Sequence, residues 1–136
     1  MTIQEIKIGD CASVTKTISE SDVYLFAGIT GDLNPAHVNE PAAARSMFGG
    51  RIAHGILTAG LISTVLGMHL PGPGTIYLGQ ELRFVRPVRI GDTITATGTV
   101  TEINLERNRI KLDTVCTNQN GEVVIKGTAE CMPPRS

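Results

Sequence analysis

Cysteine is scarce in this sequence, and what there is does not pair. Cys11, Cys116 and Cys131 form no CxxC-type pair, and an odd count argues against a complete disulfide framework. They are expected to be reduced, small apolar fillers, as suits a reducing compartment such as the cytosol. An excess of charge of one sign is also missing, with a net charge of −1. No global field draws such a chain to nucleic acid or to an anionic membrane, so neither is expected as a partner. Long hydrophobic runs are absent too. The longest, Ile56 to Leu70, is interrupted by Thr58, Ser63, Thr64 and His69, and it falls short of the roughly 20 residues a membrane span needs. The opening MTIQEIKIGD is acidic and lacks the basic start and apolar stretch of a secretory signal. With no low-complexity tract or internal repeat, the 136 residues are expected to form one soluble, cytoplasmic domain spanning 1–136.

What is present divides into a mostly helical first half and a mostly stranded second half. After a strand-like opening through Ala12–Thr17, Ser19 is placed to cap a helix over Glu20–Ile29. Asp22, three positions on, approximates a capping box, and Gly31 supplies the stop. The segment Gly31 to Asn39 is rich in turn formers and reads as a specified turn rather than a regular element. Asn34, preceding Pro35, is pushed out of the helical region. A short helix is expected from about Pro41 to Met47. The apolar residues of Ile56–Leu70 surround a helical axis instead of forming one stripe, which predicts a helix buried on most sides. Four Val-, Ile- and Thr-rich stretches follow: Ile76–Val85, Asp92–Ile103, Arg109–Thr117 and Val123–Met132. Gly91-Asp92 and Asn120-Gly121 punctuate them. Long antiparallel strands after one buried helix define an α+β class, with the sheet wrapped around that helix.

Three stretches carry a family likeness. Thr30-Gly31-Asp32-Leu33-Asn34-Pro35-Ala36-His37 resembles the hydratase motif of the MaoC-like, (R)-specific enoyl-CoA hydratases, which sets an aspartate, an Asn-Pro and a histidine in this order. Arg51-Ile52-Ala53-His54-Gly55 resembles the lead-in to that family's central helix. Leu82 to Val88, followed by Gly91-Asp92-Thr93-Ile94, resembles its first long strand and the turn after it. The likeness runs from the first helix to the last strand. It implies a hotdog fold, a homodimer with active sites near the interface, and an acyl-CoA thioester substrate. It further implies reversible syn addition of water to a trans-2-enoyl-CoA, giving (R)-3-hydroxyacyl-CoA without a cofactor. Single-domain bacterial members serve fatty acid metabolism and polyhydroxyalkanoate precursor supply; the sequence does not say which route this chain feeds.

Hydration of a conjugated thioester needs a base for water, an acid for the α-carbon, and stabilisation of charge on the thioester oxygen. Asp32 and His37 are five positions apart on a bent segment, so both side chains can converge on one water molecule. The sequence leaves open which is the base at each step. Asn34 either orients the water or simply forms an Asn-Pro turn. Gly55 opens the central helix, where unpaired N–H groups and the positive dipole end favour a developing anion. The resemblance gives it the thioester carbonyl to hold, against the plainer reading of a glycine needed for loop geometry. In similar hydratases a serine at the place of Ser63 lies close to the active site; alternatively its hydroxyl bonds back to the carbonyl of Ala59. Leu66, with Leu61, Ile62 and Val65, would wall the acyl chain, though such residues are first of all core. His54 is expected to shape its loop rather than perform chemistry.

Other signals point nowhere specific. Asp32, His37 and His54 suggest a two-His, one-carboxylate set, but nothing in the sequence fixes their relative geometry and the hydratase reading accounts for two of them, so no metal is expected. Pro71–Thr75 has glycines but no Walker lysine, which leaves a turn. Arg83, Arg86 and Arg89 read as scattered solvated charges, with contact to CoA phosphates as the alternative. Two rival functions share the expected fold: an acyl-CoA thioesterase, which would release free thiol, and a non-catalytic acyl-binding subunit, against which the presence of both Asp32 and His37 argues.

Overall fold

A computed structural model describes residues 1–136. The second half of the chain supplies most of the sheet, in four strands: β2 (Ile76–Phe84), β3 (Thr93–Asn104), β4 (Arg109–Thr117) and β5 (Val123–Met132). β1 (Cys11–Thr17) adds itself to one edge, giving a five-stranded antiparallel sheet in the order β1-β3-β4-β5-β2. Alternation decides which face is buried. Along β3 the residues Ile94, Ala96, Gly98 and Val100 turn inward while their neighbours stay half-exposed, and β4 does the same with Ile110, Leu112, Thr114 and Cys116. The other face is polar: Ser13, Thr15 and Thr17 on β1 pair their hydroxyls with Thr97, Thr95 and Thr93 on β3 at 2.7–2.9 Å.

The helical elements pack on the inward face. Ser19 caps α1 (Glu20–Thr30) reciprocally with Asp22, and Gly31 ends it with a left-handed φ of 79°. The Asn-Pro segment, expected to be turn alone, closes into one helical turn, α2 (Pro35–Val38). Pro35 preorganises its first position and the Asn34 side chain caps it. α3 (Glu40–Ala44) follows, shorter than expected because Arg45–Gly50 leave the helix.

The central helix, α4 (Gly55–Thr64), continues as a wider π-type turn over Val65–His69, where the Leu70 N–H reaches back to the Val65 carbonyl at 2.8 Å. It meets the sheet closely, since a Cβ on Gly98 would lie 3.3 Å from Val65. Ala59, Ile62, Val65 and Leu66 enter the core with Leu112, Ile94 and Val124. One expectation fails here. The helix is not buried on most sides in the single chain: Ile56, Gly60, Ser63, Thr64 and Met68 face outward. Hydrophobicity without a clear stripe showed that little of the helix is polar, not that every side is covered. Cys116 and Cys131 lie within the core, where burial raises their thiols to about 11 and about 12; Cys11 is exposed on β1.

Candidate active site

The segment leaving α1 and the segment entering α4 meet side by side. Main-chain bonds fasten the second segment on two flanks: Ile52 N–H donates to the Ala36 carbonyl at 3.0 Å, and Ala53 N–H to the Val88 carbonyl at 2.7 Å. Arg51 adds a side-chain clamp. Its guanidinium donates to Glu40 at 3.0 Å, to the Tyr24 hydroxyl at 2.9 Å and to Glu20, joining α1 and α3 to this strip. The same bond to Arg51 holds the Glu20 carboxyl below its ordinary value, and Glu20 in turn raises the Arg51 guanidinium.

On this frame Asp32, His37 and His54 come together, with one ligating atom of each within 4.8 Å of the others. His37 Nδ1 lies 2.7 Å from the Ile52 carbonyl. A carbonyl only accepts, so Nδ1 carries the hydrogen and the Nε2 lone pair of neutral His37 is left free to take a proton. The Asp32 carboxylate accepts from the Asn34 N–H at 3.2 Å through Oδ1, while Oδ2 makes no bond within the chain. Its side chain stands exposed, wetter in the single chain than a partly dry cleft would make it. Asn34 spends its Oδ1 on the Ala36 N–H at 3.0 Å, which fixes the loop and leaves the amide NH₂ available. His37 and His54 stack, with ring centroids 3.8 Å apart and planes at 28°.

Gly55 begins α4, and neither its N–H nor that of Ile56 donates to an acceptor in the chain. The Phe84 ring lies against it so closely that a Cβ at Gly55 would fall 2.6 Å from Cδ1 and 2.7 Å from Cε1. Gly55 also lines a largely apolar cavity of about 530 Å³ with Phe48, Ile52, Ile56, Phe84 and Val88, and Arg86 is among its lining residues. Across Ile56 a second cavity of about 340 Å³ runs beside α4 and β2 and includes Ser63, Gly60, Tyr77 and Gln80. Ser63 therefore stands on an open helix face, not in the core where a partner would be obligatory. Leu66 is placed differently again, 1% exposed in the core and lining neither cavity. The arrangement gathers Asp32, Asn34, His37 and Gly55 around one junction, with Ser63 further along the helix. His54 belongs to the junction as well; its position just before Gly55 was the signal, read in the sequence only as loop-shaping.

Taken together, an antiparallel sheet packed on one central helix, with a carboxylate and an imidazole beside that helix's free amides, defines a hotdog-fold protein equipped for acid–base chemistry on a carbonyl compound. The MaoC-like domain model matches residues 6–121, and the chain belongs to that family. It is 57% identical over 131 residues to an (R)-specific enoyl-CoA hydratase of Rhodospirillum rubrum, covering 96% of this chain and 90% of the relative. It is 48% identical over 132 residues to a 3-hydroxybutyryl-CoA dehydratase of Methylorubrum extorquens, covering 97% and 83%. Among solved structures, the unliganded R-hydratase PhaJ1 of Pseudomonas aeruginosa superposes with a TM-score of 0.94 at 45% identity, covering 99% of this chain and 86% of that one.

Proposed function

We propose that this chain adds water across the double bond of trans-2-enoyl-CoA thioesters to give (R)-3-hydroxyacyl-CoA, with Asp32 and His37 as its catalytic pair. It is an enzyme, a hydro-lyase, and the relatives named for hydration and for dehydration correspond to the two directions of one reversible reaction. The observation that supports the residue assignment is that a ligating atom of Asp32 and one of His37 lie within 4.8 Å of each other, with His54, the residue before the free Gly55 amide, in the same group.

Mechanistically, the Asp32–His37 pair holds one water molecule between a carboxylate and an imidazole. The pair removes a proton from it as oxygen attacks the β-carbon, and that same proton is then returned to the α-carbon from the same side, so that one water supplies both H and OH in a syn addition. The Gly55 N–H, at the positive end of α4, holds the thioester oxygen as negative charge develops on it. Asn34 steadies the water through its free amide NH₂. The apolar cavity beside Gly55 receives the acyl or pantetheine portion, and Ser63 lies along the continuation of this path over α4. Leu66 supports the wall from within the core.

The test is a rate measurement on crotonyl-CoA, following loss of the enoyl absorbance together with thiol release and chiral analysis of the product. Asp32→Asn and His37→Ala are each expected to lower kcat by roughly 100-fold or more while the fold is retained. Full activity in both variants, or a product of (S) configuration, defeats the assignment. Release of free thiol at the rate of substrate loss would instead identify a thioesterase.

We further infer a homodimer, acting in the cytoplasm. Ile29 and Leu33, flanking Asp32, are 74% and 63% exposed, and Ile76, Tyr77, Leu78 and Phe84 are exposed along the edge strand β2. A second copy of the chain is the occupant that would cover both. Sedimentation equilibrium should return twice the 14.5 kDa chain mass; a monomer at the assay concentration would contradict this.

A further inference from the structure

His54 is tied to every part of the junction, although it is almost fully buried at 2% exposure. Its Nε2 lies 3.0 Å from the main-chain carbonyl of Asp32, 22 positions earlier in the chain. Because that carbonyl only accepts, Nε2 carries the hydrogen and donates. The face of its ring stacks on His37 at 3.8 Å, and on another side Phe26 of α1 closes against it at 4.8 Å. Its own carbonyl starts α4, accepting from Leu57 N–H at 3.1 Å, and that carbonyl shares a peptide plane with the free Gly55 N–H. One side chain and its peptide therefore touch the loop of the carboxylate, the ring of the imidazole and the amide at the thioester oxygen.

We propose that His54 is a positioning residue for the hydration: its imidazole tethers the Asp32 loop and backs the His37 ring, setting both against the Gly55 amide. One observation favours this over a packing role. A buried imidazole kept only for volume carries an avoidable cost here, since Nδ1 is buried without any hydrogen-bond partner in the chain. A phenylalanine would fill the same place without that cost, but it would release Asp32.

The proposal rests on the Asp32–His37 reading, and the variants separate the two. His54→Phe keeps an aromatic ring beside Phe26 and His37 but loses the N–H donor. His54→Gln places an amide NH₂ near the position of Nε2, whereas the shorter His54→Asn does not reach it. Crotonyl-CoA kinetics are expected to show kcat lowered roughly 10- to 100-fold in the Phe and Asn variants, as misplacing a reacting group by about 1 Å does, with KM changed little. The Gln variant should recover most of the rate. Thermal midpoints measured alongside should not rank the variants in the same order. Should kcat follow the thermal midpoint, or should the Phe and Asn variants turn over like the parent while Asp32→Asn is dead, the positioning role is refuted and the dyad survives. If Asp32→Asn and His37→Ala both retain activity, the dyad falls and this proposal falls with it.

Discussion

Gly55→Ala tests the close approach at the head of α4, because its structural and chemical consequences separate. The new Cβ would sit 2.6 and 2.7 Å from two carbons of the Phe84 ring, whereas carbon–carbon contacts settle at about 3.5–4.0 Å. The ring must therefore retreat by about 1 Å. It has room to do so, being 55% exposed at the end of β2. The strain of such overpacking is about 1–2 kcal/mol. Replacing glycine by alanine in a helix returns about 0.5–1 kcal/mol of it. Net stability should thus fall by no more than about 1.5 kcal/mol, a thermal shift of several degrees.

Activity should respond far more strongly. The methyl group enters the apolar cavity beside the one amide offered to the thioester oxygen, which must come within about 2.7–3.1 Å of its donor. Losing the use of an oxyanion donor costs about 100-fold in kcat, equivalent to about 2.7 kcal/mol. Initial rates on crotonyl-CoA, measured beside thermal melts, give both quantities. The double variant Gly55→Ala/Phe84→Ala sharpens the result: removing the ring relieves the strain, but the methyl remains, so rate should stay low while stability recovers from the clash. A Gly55→Ala enzyme turning over at the parent rate would remove the Gly55 amide from the mechanism. Full rescue of rate in the double variant would move the defect to Phe84.

Two further perturbations probe the frame around the site. Arg51 holds the Glu20 carboxyl below its ordinary value, so their pairing stabilises the folded chain above the unfolded glutamate range near about 4.3 and fades as pH falls through the lowered folded value. Arg51→Met should therefore melt below the parent at neutral pH, with the gap narrowing as the pH drops below about 4; a gap constant across that range would show that apolar packing, not charge, is what Arg51 contributes. Gly127→Ala is expected to be severe, because a Cβ there would lie 1.8 Å from the Glu81 carbonyl oxygen and 2.8 Å from its carbon. Neither atom belongs to a side chain that can rotate away, so β2 must separate from β5, at a cost of about 3 kcal/mol or more. Urea denaturation measures this directly, and a parent-like midpoint would contradict the β2–β5 pairing.

Local patterns made the elements legible. The strands emerged within a residue or two because Val, Ile and Thr recur between Gly-Asp and Asn-Gly turns, and α1 emerged because Ser19, Asp22 and Gly31 are caps whose geometry is local. What misled was α4. Its composition reports how little of the helix is polar, and only the placement of the sheet decides which side is covered. Ile56 and Ser63 face outward because β3 and β4 lie against Ala59, Ile62 and Val65. Ser63 and Leu66 illustrate the limit: three positions apart on one helix, they end on opposite sides of the boundary between cavity wall and core.

The candidate site was legible as residue types and order, but its chemistry depends on hydrogen-bond partners that no linear spacing contains. That Asp32, Asn34 and His37 belong together follows from a bent Asn-Pro segment. That His37 offers Nε2 follows only from Ile52, 15 positions away, supplying the carbonyl that claims Nδ1. His54 shows the same dependence more sharply. A histidine before a helix-opening glycine is unremarkable by composition, and nothing near it in sequence distinguishes a loop former from a tether. The distinction comes from a partner 22 positions away and from burial that makes an unneeded imidazole costly. Chain topology supplies both when it lays the exit of α1 beside the entrance of α4. The chemistry of this junction is therefore a property of two segments packed together, each of which, taken alone, is an ordinary turn.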